Sequence, residues 1–489
     1  MTSRRRYLVL AICCMSLFIV GMDSTIVNVA LPSIGRDLHA SVSGLQWTVD
    51  SYLLVLASLL MLSGSVADRV GRRRVFQIGL AVFALGSLAC SVAPSLGALV
   101  AFRAVQAVGG SMLSPVAMSI VTNTFTDPKE RAKAIGFWGS TFGVSIAAGP
   151  VIGGALVDSV GWRGVFWVNI PVGVAAIILT ARYVPESRAA VKRRLDPVGQ
   201  VLVMLTLLAL TYAIIEGPSR GWSSALILGC FAIAVATLAA LLAWEPRRAE
   251  PVIDLRFFRS LPFSGAAATA IAAMAGFAGF LFLITLYLQE VRGYRPLIAG
   301  LFLLPMAVAM TVSAPVCGRM LARGGPRLPL LIAGTGITAG GVMLVFIGAA
   351  SPVWYVLLCC LVLGFGMGWV NAPITNSAVA GMPRAQAGTA AGIASTSRQV
   401  GSSLGVAVAG SVLTAGLHGS FAAGFASATR PAWWLVAAMG VAVLTLALAT
   451  TGRAGRASAA RTAESIERSE SRVPVGAGAG AGAGAGPTL

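Results

Sequence analysis

Runs of about 20 apolar residues recur along almost the whole chain, and nothing else constrains its fold as strongly. Each run is long enough to cross ~30 Å of hydrocarbon as a helix. Fourteen can be read, at 7–30, 45–66, 75–93, 97–122, 134–157, 164–181, 198–215, 223–243, 263–288, 297–318, 328–349, 353–374, 388–415 and 432–450. Strands of an outer-membrane barrel would instead alternate polar and apolar residues over about ten positions. Only 11% of the 489 residues are charged, with a mean hydropathy of +0.84, whereas a soluble domain carries roughly 25%. Water therefore cannot wet most of this surface, and the expectation is an all-α integral membrane protein. The first run follows Arg4, Arg5 and Arg6 but is long, contains Asp23 and lacks a small-x-small cleavage site, so it reads as a retained helix rather than a signal peptide.

The formal charge of +19 finds its explanation in topology. Of the 36 Lys and Arg, 28 fall on the side of the N-terminus, 6 on the opposite side and 2 within runs. This positive-inside bias puts both termini in the cytoplasm. It also gives the basic loops to anionic lipid headgroups, with no nucleic-acid partner expected. The excess of Arg over Lys, beside abundant Ala and Gly, suggests a bacterial host and hence a bacterial inner membrane. All seven Cys lie in apolar runs, while His39 and His418 fall in outer loops, so neither metal site nor cofactor is expected.

Two six-run blocks flank a central pair. The reading is an N-terminal bundle at 1–181, a linker with two extra helices at 182–260, a C-terminal bundle at 261–450 and a disordered tail at 451–489 that ends in a Gly-Ala run. A degraded repeat supports the division: Gly64, Asp68, Arg69, Gly71 and Arg72 after the second run are echoed by Gly318, Ala322, Arg323 and Gly325 after the tenth. Repeated halves with a midplane site between them are a transporter architecture. In the first turn Gly64 permits close helix approach and Gly71 a tight turn. Asp68 is placed to cap the N-terminus of a neighbouring helix, a contact that would latch one conformation.

Charges inside a span are functional candidates by default. Counting residues from the span ends puts Asp23, Asp50 and Arg103 in one layer of the outer half of the N-terminal block, at 1.5 Å rise per residue. A carboxylate there could carry a proton, with Arg103 modulating it and Asp50 serving a substrate cation or a second proton. Gly139, Gly143, Gly149, Gly153 and Gly154, beside Pro150, allow close packing and a bend in the fifth run. Arg398, near mid-depth in the thirteenth run, is a candidate for gating or substrate contact, as is Gln106 in the fourth.

The turn at Gly64–Arg72 resembles the loop motif of the major facilitator superfamily, and four further stretches narrow the likeness. Asp23 with Asn28 and Pro32 resembles the opening of its fourteen-helix drug:proton antiporters. Gly149, Pro150, Gly153 and Gly154 resemble the motif that sets the superfamily's antiporters apart from its symporters. Trp162, Arg163, Phe166, Asn169, Pro171 and Gly173 open the sixth run, and Tyr287, Leu288, Gln289, Gly293 and Pro296 the nine-to-ten junction, much as in that subfamily. Ala107 departs from the family's frequent glycine. The resemblance implies a major facilitator fold of two six-helix bundles with two additional central helices, 14 transmembrane helices in all. It also implies a monomeric, proton-coupled antiporter that exports lipophilic drugs or antibiotics, cationic ones included, by alternating access, and it gives Asp23 and Arg103 the coupling role. An exporter dedicated to one endogenous metabolite or self-made antibiotic is the alternative, ahead of a nutrient symporter. No Walker loop, His-based metal motif or nucleophile–base pair suggests an enzyme, and no catalytic residue is assigned.

Overall fold

A computed structural model describes residues 3–188, 196–248, 251–383 and 386–471, and every regular element among them is helical. Fourteen helices are long and apolar enough to cross a membrane. They are numbered here as spans 1 to 14: Arg4–Asp37, Val42–Val70, Arg72–Ser91, Leu96–Thr124, Lys129–Val160, Gly164–Tyr183, Pro197–Arg220, Ala225–Arg247, Leu261–Val291, Pro296–Gly324, Arg327–Val345, Val353–Val379, Ala387–Gly416 and Phe421–Thr450. Every expected run is present, and most are longer than hydropathy alone suggests. The extensions are polar or capped ends: Ser41 accepts from Gly44 N, Ser95 from Ala98 N, and Asp127 from Lys129 N and Glu130 N. These contacts satisfy amide groups that a helix start leaves open.

Spans 1 to 6 pack among themselves, as do spans 9 to 14, and the pairings repeat. The pairs 1 with 5, 2 with 4, 3 with 4 and 3 with 6 recur as 9 with 13, 10 with 12, 11 with 12 and 11 with 14. The sequence echo is geometric as well. Gly71 N donates to Ala67 O and Gly325 N to Leu321 O, each at 3.0 Å, with φ of +127° and +76°. Between the halves, span 2 packs on span 13 and span 5 on span 10. Spans 7 and 8 form a hairpin beside the 2/13 seam, where span 7 touches both helices. Span 8 turns Val235, Leu228, Ile233 and Leu242 outward, a face suited to hydrocarbon.

Within lipid, apolar side chains gain little by meeting one another, so close contacts depend on small residues. A Cβ at Gly86 would meet the Gln106 backbone, and one at Gly109 the Phe83 backbone, which is how spans 3 and 4 lie together. Gly336 and Gly366 do the same for spans 11 and 12.

The tail departs from expectation. Rather than being disordered from 451, Arg453–Ser471 is a helix. Ser458, Ala459, Thr462 and Ile466 are buried along one side. Ser458 Oγ accepts from Leu261 N at 3.1 Å and donates to Arg259 O at 2.9 Å. The average composition concealed this apolar stripe at three- and four-residue spacing. The Gly-Ala run lies outside the described residues.

Candidate functional site

Asp23 is fully buried in span 1, and spans 4 and 6 both donate to its carboxylate. Oδ2 accepts from Arg103 Nη1 of span 4 at 2.5 Å. Oδ1 accepts from Gln106 Nε2, also of span 4, and from Asn169 Nδ2 of span 6, both at 2.9 Å. Ser87 of span 3 receives both amides, at 3.3 and 3.1 Å, and donates to Phe166 O at 2.9 Å. Arg103 also donates to Thr48 O and lies 4.2 Å from the Tyr52 ring centre. Burying two ions is costly unless their remaining bonding capacity is met, and this network meets it. The predicted Asp23–Arg103 contact is therefore present. Asn169, Ser87 and Tyr52 are members that sequence reasoning missed.

Asp50 does not join them. Thr48 and Tyr52 stand one turn apart on the span 2 face that meets Arg103, and a two-residue step of about 200° turns Asp50 away. It is fully buried toward span 13 with Ser403 beside it, and among the described residues no ion pair and no close hydrogen bond holds either carboxylate oxygen. Next to it the two halves are tied together: Gln46 Nε2 donates to Ala407 O at 2.7 Å and to Val406 O at 3.1 Å.

The two halves meet on the face away from the N-terminus. Gln289 Nε2 donates to Val29 O at 2.9 Å, and Arg36 pairs with Glu290 at 2.8 Å. A Cβ at Gly154 would strike the backbone of Pro296 and Leu297, and one at Gly300 that of Pro150. On the N-terminal face the halves diverge around a cavity of about 760 Å³, within the usual range for drug-sized ligands. Leu60, Met61, Pro115 and Met118 give it apolar walls, with Asp68, Asp196, Asp254 and Arg398 among its polar lining.

With this arrangement in view, comparison with known proteins is decisive. The family described as Major Facilitator Superfamily matches residues 13–406. The chain belongs to that superfamily. Among similar proteins, the multidrug resistance protein Stp of Mycobacterium tuberculosis is 39% identical over 85% of this chain and 77% of its own. The tetracenomycin C resistance and export protein of Streptomyces glaucescens is 37% identical over 84% and 77%. The multidrug efflux pump LfrA of Mycolicibacterium smegmatis is 34% identical over 85% and 82%.

The superfamily-like turn is held differently from the expectation. Asp68 does not cap a neighbouring helix; its Oδ1 accepts from Arg72 Nη2 at 2.9 Å and Nε at 3.1 Å, one turn further along the chain. Arg69 follows it in the same turn. Glu186, beyond span 6, is the anchor that sequence reading missed: Oε1 accepts from Arg73 N at 3.1 Å, and the carboxylate fills the space a Cβ at Gly71 would need.

In the superfamily's antiporter-like motif, Gly149 packs on Thr25, Gly153 on Ile26 and Gly154 on span 10, so span 5 is wedged between spans 1 and 10. Pro150 presents its carbonyl to Gly300. Gly139 and Gly143, by contrast, have no neighbour among the described residues that a Cβ would touch, so the close packing seen is that of the far half. Gln106 lies in the Asp23 network instead of the cavity, whereas Arg398 lines the cavity. The Trp162–Arg163 stretch ties two loops together, both side chains donating to Asp37 Oδ2, at 2.9 and 2.7 Å.

Proposed function

We propose that this chain exports lipophilic drugs or antibiotics across a bacterial cytoplasmic membrane, driven by protons entering in exchange. The observation that carries the reading is Asp23. It is a fully buried carboxylate inside a spanning helix, engaged by an arginine and two amides, in a chain whose relatives are named for drug resistance and efflux. An ionised carboxylate only accepts hydrogen bonds, and every partner of Asp23 donates. The conformation with the far face closed therefore suits ionised Asp23. Reopening the far face would separate Asp23 from Arg103 and let it take a proton, which the return movement would release inward. One proton crossing 100 mV supplies ~2.3 kcal/mol, enough for a roughly fortyfold gradient of a neutral substrate.

Asp50 fits a second proton site better than a contact for substrate charge. It lies away from the cavity lining, and a buried carboxylate without a charged partner is tolerated best when neutral. The Gly149–Gly154 packing serves as the seal against leak. The Gly64, Asp68, Arg69, Gly71 and Arg72 turn, at the cavity mouth, acts as the latch that re-forms when the N-terminal face closes. The termini face the cytoplasm, and the protein works as a monomer among anionic lipids. A dedicated exporter of one antibiotic is the second reading, favoured by relatives named for tetracenomycin C and methylenomycin A.

The test is drug or dye uptake into everted vesicles on inside acidification. Asp23→Asn should abolish it with the protein still inserted, and unchanged transport would remove Asp23 as the proton carrier.

A further inference from the structure

We propose that the cavity selects acceptor-rich lipophiles, neutral or anionic, and that Arg398 discriminates against cations; this rests on the export reading above. Arg103 and Arg398 lie deep within their spans, and they are treated differently. Arg103 is neutralised by Asp23. Arg398 reaches only Thr375 Oγ1, at 3.5 Å, and pairs with no carboxylate among the described residues. It is also the deepest residue that span 13 contributes to the cavity lining. An arginine cannot shed its proton, so its charge stands available in a site walled by Leu60, Met61 and Met118.

A second observation points the same way. The indole N–H of Trp138, on the cavity wall in span 5, is buried without an acceptor among the described residues. The carboxylates of the lining are, by contrast, already occupied. Asp68 accepts from Arg72, Asp196 from Gly199 N and the Trp244 indole, and Asp254 from Arg256. Gln200 Oε1 is the one lining acceptor buried without a partner, so the charge left uncompensated for a ligand among the described lining residues is that of Arg398. A carboxylate, a phenolate or paired carbonyls on a flat apolar body would meet the guanidinium in its preferred two-point geometry. A cation would bring like charge into a partly desolvated space, a repulsive element that sets specificity.

The experiment uses two flat dyes of similar size and opposite charge, fluorescein and ethidium. Equilibrium binding to the purified full chain is read by fluorescence anisotropy, and movement of both dyes is read in proteoliposomes under a pH gradient. The wild type should bind fluorescein at least tenfold more tightly than ethidium. Arg398→Gln should weaken fluorescein about tenfold, the equivalent of ~1.4 kcal/mol, and leave ethidium unchanged or tighter. Arg398→Lys, which keeps the charge, should retain the preference. Ethidium binding as tight as fluorescein in the wild type overturns the proposal, and so does an equal loss of both dyes in Arg398→Gln. Selective binding without movement of either dye under the gradient would uphold the selectivity and defeat the export reading. Movement of both dyes, indifferent to Arg398, would do the reverse.

Discussion

Asn169 Nδ2 stands 2.9 Å from Asp23 Oδ1 and 3.1 Å from Ser87 Oγ, so a span 6 amide fixes the orientation of a span 1 carboxylate. Gln106 supplies the matching contacts from span 4. The two amides and Arg103 hold Asp23 from separate directions, which is what a proton site needs to be both buried and reversible.

Asn169→Leu should therefore cost more than its volume change suggests. It leaves Oδ1 with a single donor on a fully buried carboxylate, a loss of about 1–3 kcal/mol. The expected result is a lower melting temperature in detergent together with reduced proton-driven export. Asn169→Asp, which would set a second carboxylate against the first, should be worse on both measures. Equal stability of Asn169→Leu and the wild type would show that the amide is not needed to hold Asp23.

Asp50 should behave in the opposite way. Among the described residues its oxygens have Ser403 beside them but no close hydrogen bond or ion pair to lose, and a weakly held buried polar group is itself a cost. Asp50→Leu should match or exceed the wild type in melting temperature, while export under a pH gradient falls several-fold. A loss of more than about 2 kcal/mol would mean that Asp50 is satisfied in the folded protein.

The number of spans was legible because membrane helices are set by length and hydropathy alone. The depth of Asp23 and Arg103 was legible too, since both were counted from span ends. What counting could not supply was direction around the helix axis. Asp50 shares their depth yet points to span 13, because two residues along a helix turn the side chain to the other face. Asn169 was visible as part of a motif, but a lone amide at a span opening carries no depth signal like that of a charge. Glu186 lies outside the spans, and only the fold brings it to Gly71. The tail helix escaped because its buried positions are few among charged and small residues.

Gly71 gives a test of the turn in two parts. Its φ of +127° is costly for any side chain, and a Cβ would stand 2.7 Å from Glu186 Oε1. Gly71→Ala should destabilise by about 1–3 kcal/mol. Adding Glu186→Ala should recover part of the loss, because it removes the collision and leaves the dihedral strain. The measurement is a double-mutant cycle on melting in detergent, and strictly additive losses would show that Glu186 does not fill that space.

The tail helix is held by little besides its buried stripe. Ile466 is fully buried, and Ser458 bonds to the backbone at the start of span 9. The rest of Arg453–Ser471 is largely polar. Ile466→Asp places a charge in that contact and removes roughly 1.5–3 kcal/mol of apolar burial. The helix packs on Leu255–Arg259, on the ends of spans 9 and 14 and, through Ala459, on Gly381 after span 12, so its release should be local and leave the bundles folded. Limited trypsin digestion reads this directly, because Arg456 and Arg461 lie on the exposed side of the helix. Cleavage there should be slow in the wild type and fast in Ile466→Asp, with the global melting temperature unchanged. Equal rates in the two proteins would return the segment to the disorder that its composition suggests.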